Sequence, residues 1–152
     1  MTLITTATLG QLEAGMQLAS ARYEITRDTL VRYAGASGDF NPIHYNDAAA
    51  TAAGLPGVIA HGMLTMGTAI EAVAASLGDG ARITSYSTRF SNPIPVPATG
   101  SAILEVAAKI AKVDADAGTV QLTLDATVDG TAVLGRARVG VQVQADPSSQ
   151  DR

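Results

Sequence analysis

Val58-Ile-Ala-His-Gly-Met-Leu-Thr-Met-Gly-Thr-Ala-Ile-Glu-Ala-Val-Ala-Ala-Ser-Leu77 is the stretch on which the fold turns. It matches the length of about 20 residues that crosses a bilayer as a helix. It is therefore either a membrane span or the buried helix of a globular domain. His61 and Glu71 lie inside it, Gly62, Thr65, Gly67 and Thr68 interrupt it, and nothing cationic flanks it. Those features favour a buried helix. The helix is expected from about His61 to Leu77, with Gly78 just past its C-terminus. It is apolar nearly all round, which suits burial on most sides.

Working outward, the pattern after Gly80 changes to period two. Arg82 to Phe90 reads as a strand. Asn92-Pro93-Ile94-Pro95-Val96-Pro97 is a loop, because three prolines cannot sit in a central ladder. Ser101 to Val113 is a long strand whose pattern slips near Lys112, the mark of a bulge. Asp114 to Gly118 is a turn. Val120, Leu122, Leu124, Ala126 and Val128 alternate with polar residues, and Asp129-Gly130 is a hairpin signal. Val133, Gly135, Ala137, Val139, Val141 and Val143 should line one face of the last strand.

Upstream, Met16 to Ile25 reads as a first strand. Thr26 is suited to N-cap a short helix, with Ile25 and Leu30 placed as a hydrophobic staple. Gly35 and Gly38 should stop that helix. Ser37 to Ile43 is a loop, Asp47 to Ala53 a short helix, and Gly54-Leu55-Pro56-Gly57 breaks the chain again. These elements predict an α+β domain: a five-stranded antiparallel sheet wrapped around one long central helix. The domain should span residues 1–144, with residues 145–152 as a loose tail.

The chain has 152 residues, enough for one domain with a core of its own. It has no Cys, which excludes a thiolate nucleophile, a Cys-ligated metal and a disulfide framework. Two His residues are few for a His-rich metal centre. The net charge of -4 argues against nucleic acid as a partner. The first residues, Met1 to Thr8, lack the cationic start of a signal peptide, so a cytoplasmic location is expected, with no membrane span.

Chemistry concentrates in Tyr33-Ala-Gly-Ala-Ser-Gly-Asp-Phe-Asn-Pro-Ile-His44. Asp39 and His44 flank an Asn-Pro turn. Ala60-His61-Gly62-Met63 follows at the start of the long helix. An imidazole exchanges protons near neutral pH, and a carboxylate can serve as its partner. Gly62 opens a helix, so its N–H has no intrahelical acceptor and can face a developing oxyanion, aided by the helix dipole. Asn41 is a candidate substrate or water contact, although an Asx turn also accounts for it. His61 reads as a residue whose ring is directed at backbone. Tyr33 and Met63 read as core, and Glu71 as a paired or solvated residue.

Gly38-Asp39-Phe40-Asn41-Pro42-Ile43-His44 followed by Ala60-His61-Gly62-Met63 resembles the two-block "hydratase 2" signature of the MaoC-like hot-dog hydratases and dehydratases. Leu64-Thr65-Met66-Gly67, Arg89-Phe90 and Pro95-Val96-Pro97 especially resemble the catalytic B subunit of the mycobacterial type-II fatty-acid-synthase (3R)-hydroxyacyl-carrier-protein dehydratase. The resemblance covers nearly the whole chain. It implies a hot-dog fold and a hydro-lyase acting reversibly on (3R)-hydroxyacyl and trans-2-enoyl thioesters. The thioesters would be carried on coenzyme A or acyl-carrier protein, with no metal or redox cofactor. Asp39 and His44 would be the catalytic pair, and Gly62 the donor to the thioester carbonyl. Some relatives carry a Ser two helical turns after the helix-start Gly; here that position is Ile70, so a hydroxyl-assisted step is not expected.

An (R)-specific enoyl-CoA hydratase for β-oxidation or polyester precursors is the same-chemistry alternative. A hot-dog acyl-thioester binding module and a thioesterase are the others. The intact Asp39–His44 pair argues against a binding module. A dimer is expected, either homodimeric or with another hot-dog subunit, because a single sheet leaves an edge strand open. Arg136 and Arg138 should both point away from the apolar face of the final strand, near Arg82, Arg89, Lys109 and Lys112. That places them as a candidate docking patch for an acidic carrier or the phosphates of coenzyme A.

Overall fold

The computed structural model describes residues 2–144; the segment read from sequence as a tail, residues 145–152, lies outside the described residues. In chain order the main elements are β1 (Gln17–Ile25), α1 (Arg27–Ser37), α2 (Asp47–Ala52), α3 (Gly62–Ala74), β2 (Ala81–Phe90), β3 (Ala102–Asp114), β4 (Thr119–Val128) and β5 (Thr131–Val143). The strands form one antiparallel sheet in the order β1-β3-β4-β5-β2. This is the expected five-stranded sheet around a central helix, so β1 and β2 are its two edges.

Alternation sets which face is buried. Leu104, Val106, Ala108 and Ile110 of β3 point inward with Val120, Leu122, Leu124 and Ala126 of β4. Thr65, Ala69, Ala72 and Val73 of α3 are buried toward the same core. The small residues allow close packing between helix and sheet. Tyr86 on β2 donates its hydroxyl to the Met66 carbonyl at 3.2 Å, which ties the edge strand to α3. Burial there pushes the Tyr86 phenol up to about 12.

The bulge expected near Lys112 is present as a register shift between Ile110 and Lys112 in the β3–β4 ladder. Asp129 (φ 49°) and Gly130 (φ 76°) are both left-handed, as a two-residue hairpin turn requires. Thr26 caps α1 through a reciprocal pair with Thr29, and Ile25 and Leu30 are both buried beside it.

Several local expectations need correction. Gly35 does not stop α1; it lies inside the helix, which ends at Gly38 in a left-handed conformation (φ 76°). The central helix ends at Ala74 rather than Leu77. Residues beyond it pair with the N-terminal segment instead: Ile4 N–H donates to the Ser76 carbonyl at 2.9 Å, and Gly78 N–H to the Ile4 carbonyl at 3.0 Å. Gly78 is therefore kept by close packing, since an added Cβ would collide with the Thr5 side chain. The apolar run from Val58 is likewise not all helix. Val58 to Ala60 is extended and pairs with the proline loop, Val96 N–H to Val58 carbonyl and Ala60 N–H to Ile94 carbonyl, both at 2.9 Å.

No helix among the described residues is long and apolar enough to cross a membrane. One side of α3 stays open: Met63, Gly67, Glu71 and Ala74 form an exposed stripe at helical spacing, while its other residues are buried or half-buried. Met63, expected in the core, is 58% exposed. In β5, the single buried row is interrupted. Val133 and Leu134 are both buried, Gly135 is half-buried, and Arg136 sits at φ 52°. Opposite them, the β4 register jumps from Leu124 to Ala126, so a bulge inserts residues that alternation cannot foresee.

Candidate active site

The site is assembled where the end of α1 meets the start of α3. Gly38 turns the chain out of α1, and three short Ser and Asx contacts then shape the loop. Asp39 N–H donates to Ser37 Oγ at 3.2 Å. Asp39 Oδ1 accepts from Asn41 N–H at 3.2 Å, and Asn41 Oδ1 accepts from Ile43 N–H at 3.3 Å. Pro42 begins a single 3-10 turn that carries His44 inward, where it is 8% exposed.

Beneath this loop lies a polar clamp. Arg27 at the start of α1 donates from Nε to the Val96 carbonyl at 2.7 Å. Its two terminal nitrogens donate to Asp47 at 3.1 and 2.7 Å. Asp47 in turn accepts from Val58 N–H. The Arg27 hydrogen bond holds the Asp47 carboxyl below its ordinary range. One guanidinium thus joins α1, α2, the proline loop and the segment leading to α3.

His44 Nδ1 donates to the Ile59 carbonyl at 2.8 Å. A carbonyl can only accept, so this contact places a ring proton on Nδ1, and Nε2 makes no hydrogen bond among the described residues. His61, the N-cap of α3, is 1% exposed, and its Nε2 donates to the Asp39 backbone carbonyl at 3.1 Å. The His44 and His61 rings stack at 3.8 Å between centroids, with 24° between their planes. Tyr33 packs on the other side of His61 at 4.7 Å. Burial lowers the His61 pKa from its ordinary 6.5, opposed by the hydrogen bond to Asp39 and reinforced by His44. His61 is therefore held neutral, with Nδ1 buried and unpartnered.

Asp39, His44 and His61 bring ligand atoms within 4.8 Å of one another. The geometry suits proton exchange better than metal ligation. One nitrogen of each ring is committed to a backbone carbonyl, and the two rings lie stacked in separate, nearly parallel planes, so a single ion cannot sit in the plane of both.

Beside His44 opens a cleft of about 320 Å³, walled by Gly62, Thr65, Phe90, Ile94 and Val133 among others. Gly62 is the first residue of α3, so its N–H lacks an intrahelical acceptor. The Phe90 ring covers this point closely: a Cβ on Gly62 would stand 3.1 Å from it.

The structure brings together Asp39, His44 and Gly62, the residues singled out in the sequence. Asp39 is exposed and stands outside the cleft wall. Asn41 spends its side-chain oxygen on the Asx turn. The ring of His61 is directed at backbone as read, yet it also buttresses His44. Glu71 is exposed on α3, and Tyr33 is half-buried. Arg136 and Arg138 are both exposed, on a different surface from the cleft. Thr65, Phe90 and Val133 were not singled out as site residues. Their positions depend on where the end of β2 and the β5 bulge fall beside α3. The Thr65 hydroxyl is already used, donating to the His61 carbonyl at 3.2 Å.

Comparison with known proteins places this geometry. Residues 11–128 match the family described as "MaoC like domain". A 3-hydroxyacyl-thioester dehydratase X from Mycobacterium tuberculosis is 44% identical over 80 residues, 53% of this chain and 28% of that protein. A solved MaoC-like dehydratase superposes with a TM-score of 0.84 at 36% identity, covering 90% of this chain and 42% of that one. The R-hydratase PhaJ1 from Pseudomonas aeruginosa gives 0.79 at 25% identity, covering 95% of this chain and 88% of that one. The chain thus spans less than half the length of the first two relatives. With that model matched over residues 11–128 and the fold in agreement, the chain belongs to the MaoC-like domain family.

Proposed function

We propose that this protein catalyses reversible dehydration of (3R)-hydroxyacyl thioesters to trans-2-enoyl thioesters. The observation that carries the reading is His44, with Nδ1 fixed on the Ile59 carbonyl and Nε2 free, next to the Asp39 carboxylate and the unpaired N–H of Gly62. In dehydration a base removes the α proton, and the electron pair moves onto the thioester carbonyl. Gly62 N–H donates to that oxygen as its charge grows. An acid then protonates the β-hydroxyl, which leaves as water while the double bond forms. His44 and Asp39 divide the two proton transfers, and hydration runs the same steps backwards. Proton transfer by a positioned side chain contributes about 10²–10⁴-fold.

The apolar walls of the cleft suit an acyl chain, and the reaction needs no metal or redox cofactor. The carrier is coenzyme A or acyl-carrier protein, and the location cytoplasmic. Asn41 keeps its side-chain amide nitrogen for a water or substrate contact while Oδ1 closes the turn. The likeness to an R-hydratase supports the hydration direction as the second reading. The protein functions as a dimer, with itself or another hot-dog subunit. The open edge of β2 and the exposed stripe on α3 both call for cover.

The test is hydration of trans-2-enoyl-CoA, followed by loss of enoyl-thioester absorbance, with the product configuration determined. (3R) product is expected. Release of free thiol from acyl-CoA faster than hydration would replace this reading with a thioesterase.

A further inference from the structure

Of the four ion pairs among the described residues, Arg27–Asp47 stands apart. The other three join exposed side chains within α1 or between neighbouring strands, where an ion pair adds little. Arg27 is the least exposed of the four cations, its side chain 24% exposed. It grips both oxygens of Asp47 and spends its Nε–H on the Val96 carbonyl. A planar guanidinium bound in this way fixes geometry as well as charge.

The clamp leads to His44 through one short run of backbone. Val58 to Ala60 lies antiparallel to the proline loop through the Ile59–Pro95 bridge. Two backbone hydrogen bonds hold that ladder, from Val96 N–H to the Val58 carbonyl and from Ala60 N–H to the Ile94 carbonyl. Pro93, Pro95 and Pro97 have no N–H, so the loop has no further donor to extend it. Arg27 and Asp47 close one end instead: Arg27 holds the Val96 carbonyl, and Asp47 accepts from Val58 N–H. Gly57, at φ 153°, brings the chain over Asp47; a Cβ on it would stand 3.7 Å from Asp47 Oδ1. The next peptide carries the contact that matters. Ile59 N–H donates to the Ile43 carbonyl at 3.2 Å, and the Ile59 carbonyl accepts from His44 Nδ1 at 2.8 Å. Val58 is fully buried and His44 nearly so, so a displaced segment would leave buried polar groups unpaired.

We infer that Arg27 and Asp47 are positioning residues for His44: the clamp fixes Val58, Val58 fixes the Ile59 carbonyl, and that carbonyl sets which ring nitrogen of His44 carries the proton. The effect on turnover rests on the reaction proposed above, whereas the effect on the ring does not. Arg27 holds the Asp47 carboxyl below its ordinary range, so the pair stays charged at neutral pH. Without the Ile59 contact the imidazole is free to carry its proton on Nε2.

The experiment compares the wild type with Arg27→Lys and Asp47→Asn. Arg32→Lys, in an exposed ion pair on the same helix, is the control. Lys keeps the charge of Arg27 but cannot bind two carboxylate oxygens and a carbonyl in one fixed fork. Asn keeps the shape of Asp47 and loses its charge. The first measurement is proton–nitrogen NMR of the imidazoles at alkaline pH, where the rings are neutral. The chain has two His residues, and His61→Asn assigns their signals. His44 should be protonated on Nδ1 in the wild type and in Arg32→Lys, and a mixture of both tautomers in the two clamp variants. The second measurement is crotonyl-CoA hydration, with urea midpoints showing that each variant is folded under the assay conditions. The kcat of the clamp variants should fall by about 10- to 10²-fold with KM within about 2-fold, as expected when a reacting group is slightly misplaced. Arg32→Lys should match the wild type. A wild-type His44 signal in both clamp variants would overturn the inference and leave the pair a support of the fold alone, whatever the midpoints. So would an altered ring with wild-type kcat, or the same changes in Arg32→Lys. A wild type inactive on enoyl thioesters would remove the proposed reaction, and the ring comparison would then decide the clamp by itself.

Discussion

Replacing Gly62 with Ala separates the backbone donor from the space around it. The new Cβ would stand 3.1–3.2 Å from three atoms of the Phe90 ring. That is a few tenths of an ångström inside an ordinary contact. Phe90 is 56% exposed at the end of β2, so the ring can turn aside, at an off-rotamer cost of about 0.5–1.5 kcal/mol. Ala is a better helix former than Gly by up to about 1 kcal/mol in a helix interior, and somewhat less at this first position. The two effects nearly cancel, and the midpoint of urea unfolding should move little. Activity is a different matter. The methyl group occupies the approach to the N–H that receives the thioester oxygen. Loss of one such donor costs about 10²–10³ in kcat. The expected outcome is a folded protein whose enoyl-CoA hydration kcat falls by about 10² and whose KM changes little. Adding Phe90→Ala removes the displaced ring and tests whether it, rather than the methyl, causes the loss. The double variant should remain slow. Recovery to near wild-type turnover in the double variant, or a single variant within about 3-fold of wild type, would refute the assignment of Gly62.

Asp39→Asn and His44→Gln should each lower hydratase turnover by at least about 10²-fold while circular dichroism stays unchanged; normal turnover in either would remove that residue from the pair. His61 is held below its ordinary pKa by burial, so below pH 6.5 the unfolded chain takes up its proton first and folding stability falls with pH. Denaturant midpoints measured from pH 7.5 to 5.5 should show that decline, and His61→Asn should flatten it; an unchanged slope would mean that other groups are responsible. The open β2 edge and the exposed α3 stripe predict a dimer, and a fully active monomer by sedimentation at micromolar concentration would contradict it.

Much of this molecule was legible in its residues because the relevant forces are local. The Thr26 cap, the Asp129-Gly130 hairpin and the slip at Lys112 each follow from a few neighbouring side chains. The Asp39–His44 pair was legible for the same reason: an Asx-rich turn and one 3-10 turn separate the two residues. Element ends were less legible where a distant partner competes. Gly35 is tolerated because α1 continues to a better stop at Gly38, and α3 ends early because Ile4 takes up the backbone of residues 76–78.

The sequence by itself determined the class of fold, the central helix, the closeness of Asp39 to His44 and the glycine at the helix start, since hydrophobic period and turn chemistry act over short distances. Only the tertiary structure decided the rest. It stacked His61 on His44, laid Phe90 over Gly62, exposed Met63, and opened the β5 bulge that turns Arg136 toward Arg89 and Arg138. Each of these joins residues far apart in the chain, and their meeting depends on how sheet, bulge and helix pack.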